Sequence, residues 1–155
     1  MRTVVASIVL TLLLTAFVFS QEEDEKKIPR SSLPPAVEHT VAAHSQGATI
    51  RGFSEEKENG GTYYEAEMLV DGHSKDILID KEGAIVEVEE QVAFDSLPAD
   101  VQHGLQQKAG SGKIVKVESL TKRGNVVAYE AKVQTGTKKK EIQVGPDGKA
   151  LAHEE

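Results

Sequence analysis

The chain has no cysteine and no tryptophan, and aromatic residues make up only 5% of its 155 positions. Without cysteine there is no disulfide staple, no thiolate metal site and no cysteine-linked lipid anchor. Few aromatics mean a modest core built from Val, Ile, Leu and Ala, each contributing roughly 1–3 kcal/mol when fully buried. A large enzyme cleft is hard to carve from such a core. An excess of positive charge is also lacking, since 18 basic side chains face 25 acidic ones for a formal charge of −7. Phosphate binders need a basic face that displaces counterions, so nucleic acid is not expected as a partner. The lone basic run, Lys138-Lys139-Lys140, falls between strands and reads as a solvated turn.

Long apolar runs are scarce as well, and the single one lies at the start. Arg2 supplies positive charge, Val4 to Phe19 is almost wholly apolar, and Val18-Phe19-Ser20 precedes Gln21 in the three-part pattern of a secretory signal. Cleavage is expected after Ser20. The run of about 16 residues is shorter than the roughly 20 that span a bilayer, so residues 1–20 read as a removable signal and no membrane span is expected after cleavage. Losing Arg2 moves the formal charge from −7 to −8. The expected location is the periplasm or outside the cell. Residues 21–31 are Glu, Asp and Lys around an isolated Ile28 and read as a flexible acidic leader, with folded structure beginning at Ser32.

What is present is a repeat. Ser32-Leu33-Pro34-Pro35 puts proline where the first helical turn needs no N–H, Val37 and Val41 follow four apart, and Gly47 is a natural stop. Asp95-Ser96-Leu97-Pro98 has the same form, followed by Val101, Leu105 and Ala109 before Gly110-Ser111-Gly112. An offset of 64 aligns Leu33 with Leu97, Val37 with Val101, His39 with His103 and Ile50 with Ile114. Beyond the first hairpin the offset is 65, aligning Tyr64-Glu65-Ala66 with Tyr129-Glu130-Ala131, Ile77 with Ile142 and Gly83 with Gly148.

Each unit, 32–91 and 92–155, therefore reads as one helix followed by a four-stranded antiparallel meander. Strands are expected near 49–57, 62–70, 74–80 and 84–89, then 113–121, 126–135, 138–144 and 149–153. Turns at Asn59-Gly60-Gly61, Asp71-Gly72, Lys81-Glu82-Gly83, Arg123-Gly124-Asn125 and Pro146-Asp147-Gly148 separate them. The fold class is α+β, and the two sheets can join into one of eight strands. Alternation turns Tyr64, Ala66, Met68 and Val70 one way and Tyr63, Glu65, Glu67 and Leu69 the other. Residues 50–54 resist this treatment, because Arg51 aligns with Val115 and the two suit opposite faces.

The order of Leu-Pro, amphipathic helix, hairpin with Tyr-Glu, and apolar strand into Asp-x-x-Gly resembles the PepSY-like family of exported bacterial domains. The variant concerned is related to the beta-lactamase-inhibitor proteins, which also have two tandem helix-and-sheet repeats. The resemblance covers roughly 33–153 and implies a role in binding or inhibiting another exported protein. Two features depart from it: Gly145 stands where the first unit has Asp80, and the inhibitors' disulfides have no counterpart. No inhibitory contact residue transfers.

Catalytic signatures are missing. No Gly-x-Ser-x-Gly elbow presents a nucleophile, and Gly110-Ser111-Gly112-Lys113 fails the phosphate-loop pattern. Asp71, Asp76, Asp80 and Glu82 bracket a strand, so no calcium loop is formed, and no metal or other cofactor is expected. His39 and His44, five apart, do not share a helix face. The chain is read as a non-enzymatic binding protein that engages a protein or peptide through the outward sheet face, with Tyr63, Glu65, Glu67, Leu69, Glu130 and Lys132 as the candidate contacts. The competing reading is a sensor of a small ligand or metal, in which the acidic turns or His39 and His103 titrate near neutrality.

Overall fold

The computed structural model describes residues 25–155 except 59 and 154. The expected signal, most of the acidic part of the leader and Asn59 of the first hairpin turn lie outside the described residues. Among the described residues two α-helices and eight strands form an α+β fold, with these strands in one antiparallel sheet ordered β1 to β8 as in the chain.

Strand β1 is Lys26–Lys27, and a 3-10 turn at Arg30–Ser32 leads into helix α1, Pro35–His44. Structure thus begins before Ser32: Lys26 and Lys27 pair with Glu55 and Ser54, and Ile28 packs on the first core. Strands β2 (Thr49–Glu58), β3 (Gly61–Val70), β4 (His73–Asp80) and β5 (Ile85–Gln91) form the first meander. Helix α2 (Ala99–Ala109) and strands β6 (Lys113–Lys122), β7 (Asn125–Thr135) and β8 (Lys138–Val144) complete the chain. Residues 149–153 form no strand. The eighth strand comes instead from the leader, at the opposite edge.

Helix α1 starts at Pro35 and α2 directly follows Pro98, positions where a missing N–H costs no helical bond, and both bury a stripe spaced by four. Val37 and Val41 on α1, and Val101 and Leu105 on α2, are fully buried. Each helix seals its own core. The first contains Phe53, Ala66, Met68, Ile77 and Ile79; the second contains Val117, Ala131, Val133, Ile142 and Val144. The turns after β4 and β8 pack against the start of α1 and α2, and both depend on a positive φ. A Cβ on Gly83 (φ +88°) would lie 2.8 Å from the Ala36 carbonyl, and one on Gly148 (φ +75°) would lie 2.0 Å from that of Asp100.

A bulge settles the facing of 50–54. Pairing skips Arg51 between Ile50 and Gly52, and at the equivalent place skips Val115 between Ile114 and Lys116. A bulged residue is left out of the ladder, so the alternation of faces is interrupted there. Arg51 and Val115 are both exposed, which is why positions of such different character occupy the same place in the two units.

Candidate functional site

The helices leave one face of the sheet open. Because Glu89 and Glu118 converge on that face, their neighbours Val88 and Val117 turn to the other, where Val88 packs on the first core and Val117 belongs to the second. Both helices therefore cover the same side. Registered pairs lay out the open side in rows. Ser54, Glu65 and Leu78 are joined across β2–β4, and Glu67, Asp76 and Glu89 across β3–β5. Gln91, Glu118, Glu130 and Gln143 run across β5–β8.

All six expected contact residues lie on this face, but they do not form one patch. Tyr63, Glu65, Glu67 and Leu69 line β3, whereas Glu130 and Lys132 lie four strands away on β7. Each charged member is engaged. The Ser54 hydroxyl donates to Glu65 at 2.7 Å, Lys27 pairs with Glu67, Gln143 donates to Glu130 at 3.1 Å, and Lys132 pairs with Glu141 at 3.0 Å. Burial raises the Glu65 carboxyl above its usual range against the Ser54 bond that lowers it, and burial likewise raises Glu130. The Glu141 hydrogen bond raises Lys132.

Between these groups lies a cluster that the strand pattern did not single out. Oxygens of Asp76, Glu89 and Glu118 lie within 4.8 Å of one another. Glu118, only 3% exposed, is met by Lys116 at 2.5 Å and accepts a hydrogen bond from the Ser74 hydroxyl at 2.9 Å. Burial, and then the carboxylates of Glu118, Glu130, Glu87 and Asp76, push Glu89 up to about 8. Burial and Glu65 push Asp76 up to about 6, against the Met68 N–H that it accepts and against Lys116. The sequence signal was the clustering of Glu87, Glu89 and Glu90, which takes on meaning only once β6 brings Glu118 alongside. A second acidic group, Glu25, Glu65 and Glu67, holds the ammonium of Lys27. In both places lysine is the cation that the chain itself supplies.

The C-terminal residue also reaches this face. The Glu155 N–H donates to the Gln143 side chain at 2.9 Å, and its carboxylate meets Lys122 at 3.3 Å. Lys122 in turn meets Glu87 across the β5–β6 pairing, at 3.3 Å. The histidines are elsewhere: His39 on α1 and His103 on α2 are both exposed, on helices that seal different cores. Asp80 serves its turn, accepting from the N–H groups of Glu82 and Ala84 at 3.0 and 2.8 Å. In the second unit Asp147 accepts from the Lys149 N–H at 3.1 Å, so a carboxylate two residues on takes over part of the role that Gly145 cannot fill.

Solved structures share this architecture. A BLIP-like protein from Bacteroides fragilis is 21% identical, with 75% of this chain and 81% of that one covered at a TM-score of 0.52. A protein provisionally assigned to the periplasm of Bacteroides eggerthii is 17% identical, with 76% and 85% covered at 0.60. A DUF2874 family protein from Bacteroides uniformis is 18% identical, with 75% and 84% covered at 0.57. The shared property is a fold. The sequence itself matches no family model and no curated protein. Among the described residues no helix is long and apolar enough to cross a membrane.

Proposed function

We propose that the chain is an exported, non-enzymatic binding protein of two PepSY-like repeats, which engages a protein partner in the envelope or outside the cell through its open sheet face. The observation that carries this reading is the face itself: a helix-free surface across a continuous antiparallel sheet, mixing Tyr63, Leu69 and Leu78 with many carboxylates. Rigid strands present such side chains at low entropic cost, and aromatic and aliphatic groups among charges suit recognition of a protein surface. The fold shared with a BLIP-like protein, and the signal-like first twenty residues, support the same reading.

Charge defines the partner further. Lys27 pairs with Glu67, but its row-mates Asp76 and Glu89 form no side-chain ion pair among the described residues, so the partner that fits presents lysine or arginine to the middle of the face. Affinity purification from envelope extract tests this, comparing the wild type with a Tyr63→Asp/Leu69→Asp variant and with a helix-side His39→Asp control. The expected result is a partner held by wild type and control, lost by the face variant and released by raised salt. A face variant that keeps every partner of the wild type would sink the proposed surface.

A further inference from the structure

The two halves of the sheet meet at β5 and β6, and this joint has an unusual make-up. Most of the buried apolar residues fall into two separate clusters, one under each helix, while Leu120 of β6 and Ala128 of β7 are buried outside both. What joins the halves is the pairing of Glu87–Gln91 with Glu118–Lys122, the Val92 N–H donating to Val117 at 3.0 Å, and side chains on the open face. Backbone pairing alone is a modest tie compared with a shared core. The face groups at the joint therefore weigh heavily in its stability.

Those groups are mostly carboxylates. Asp76 on β4, Glu89 on β5 and Glu118 on β6 converge across the joint. Facing them are Glu65 and Glu67 from β3, Glu87 from β5, Lys116 and Lys122 from β6, and Glu130 and Lys132 from β7. Lys116 is placed on Glu118 and Lys122 on Glu87 and Glu155, while Lys132 serves Glu141. No side-chain ion pair is formed by Glu89 among the described residues. A charge on Glu89 has directly opposite it Asp76 on one side and the apolar Leu120 on the other. A carboxylate in that position is relieved by a proton.

We propose that the joint between the two halves is proton-linked: a proton on Glu89, shared within reach of Asp76 and Glu118, holds β5 and β6 together, and its loss at mildly alkaline pH loosens their pairing. The raised affinity of Glu89 for a proton, described above, agrees with this geometry. Loosening changes the relation of one half of the open face to the other, so the surface itself becomes sensitive to pH. The inference is independent of any partner and survives the failure of the binding reading.

Amide hydrogen exchange at about pH 6 and about pH 8.5, corrected for the intrinsic rate, tests it in the full chain. In the wild type, protection of β5 and β6 should fall at least about tenfold between the two conditions, with β2 and β3 unchanged. Glu89→Gln, which keeps the shape and removes the titration, should hold its protection at both. Equal pH dependence in wild type and Glu89→Gln, or a uniform loss over the whole sheet, would overturn the proposal. Should Glu89→Gln fold poorly, Asp76→Asn replaces it and is expected to narrow the pH effect. Millimolar calcium that restores protection in the wild type at the higher pH, against chelator, would also overturn it by making a cation rather than a proton the occupant.

Discussion

Asp76 on β4 and Glu89 on β5 stand directly opposite each other, and Glu67 on β3 stands opposite Asp76 in turn. Like charges facing each other across a ladder destabilise a sheet, and while Lys27 relieves Glu67, the Asp76–Glu89 pair runs against the stability of the fold unless a proton or another cation intervenes.

Stability should therefore fall as pH rises. Asp76, raised from its usual 3.8 to about 6, and Glu89, raised from 4.5 to about 8, hold their protons more tightly folded than unfolded. Their contribution is fully present below their unfolded values and is lost as pH passes through the folded ones. Urea midpoints should decline between about pH 4 and about pH 8 and level off above. Asp76→Asn should make the decline below about pH 6 shallower, leaving the share that Glu89 contributes.

Lys116 and Glu118 form the most buried ion pair described, with side chains 25% and 3% exposed. Lys116→Met leaves Glu118 in the sheet without its cation, at a cost of about 1–3 kcal/mol. Lys149→Met, which breaks an exposed pair with Asp147, should leave the denaturant midpoint nearly unchanged. Equal effects in denaturant titration would contradict the distinction.

Gly104 lies within α2, where propensity alone makes alanine better by about 1 kcal/mol. Packing reverses the sign: a Cβ there would sit 2.0 Å from the Gly148 carbonyl. Gly104→Ala should destabilise by about 1–3 kcal/mol, read as a lower melting temperature, because the Pro146–Gly148 turn must move away from the helix.

Ile77→Ala removes a fully buried side chain beneath α1 and should cost about 2–5 kcal/mol. Val126→Ala, at a side chain 40% exposed, should stay within about 0.5 kcal/mol. A small effect at Ile77 would mean that the first core collapses easily around the gap.

Much of this fold was legible in the chain. Proline-led helices with valines four apart, glycine turns and period-two strands are local signals, and the bounds of β2 to β8 lie close to those that the pattern predicts. Arg51 and Val115 were not legible, because a bulge suspends the alternation on which facing is read. Nor was β1: Lys26 and Lys27 carry no strand signature of their own and become a strand by pairing with the edge of β2. The expected strand at 149–153 fails in the opposite sense, its residues leading instead to Glu155 on the open face.

By itself the sequence determined the two helices, strands β2 to β8 and, away from the bulges, which side of each strand faces inward, since all of these follow from spacing along one chain. Only the tertiary structure decided which carboxylates meet. Glu89 and Glu118 are 29 positions apart and belong to different units, and nothing in their local surroundings links them. They become neighbours because β5 pairs with β6, and the same pairing withdraws them from water and sets their charges against each other.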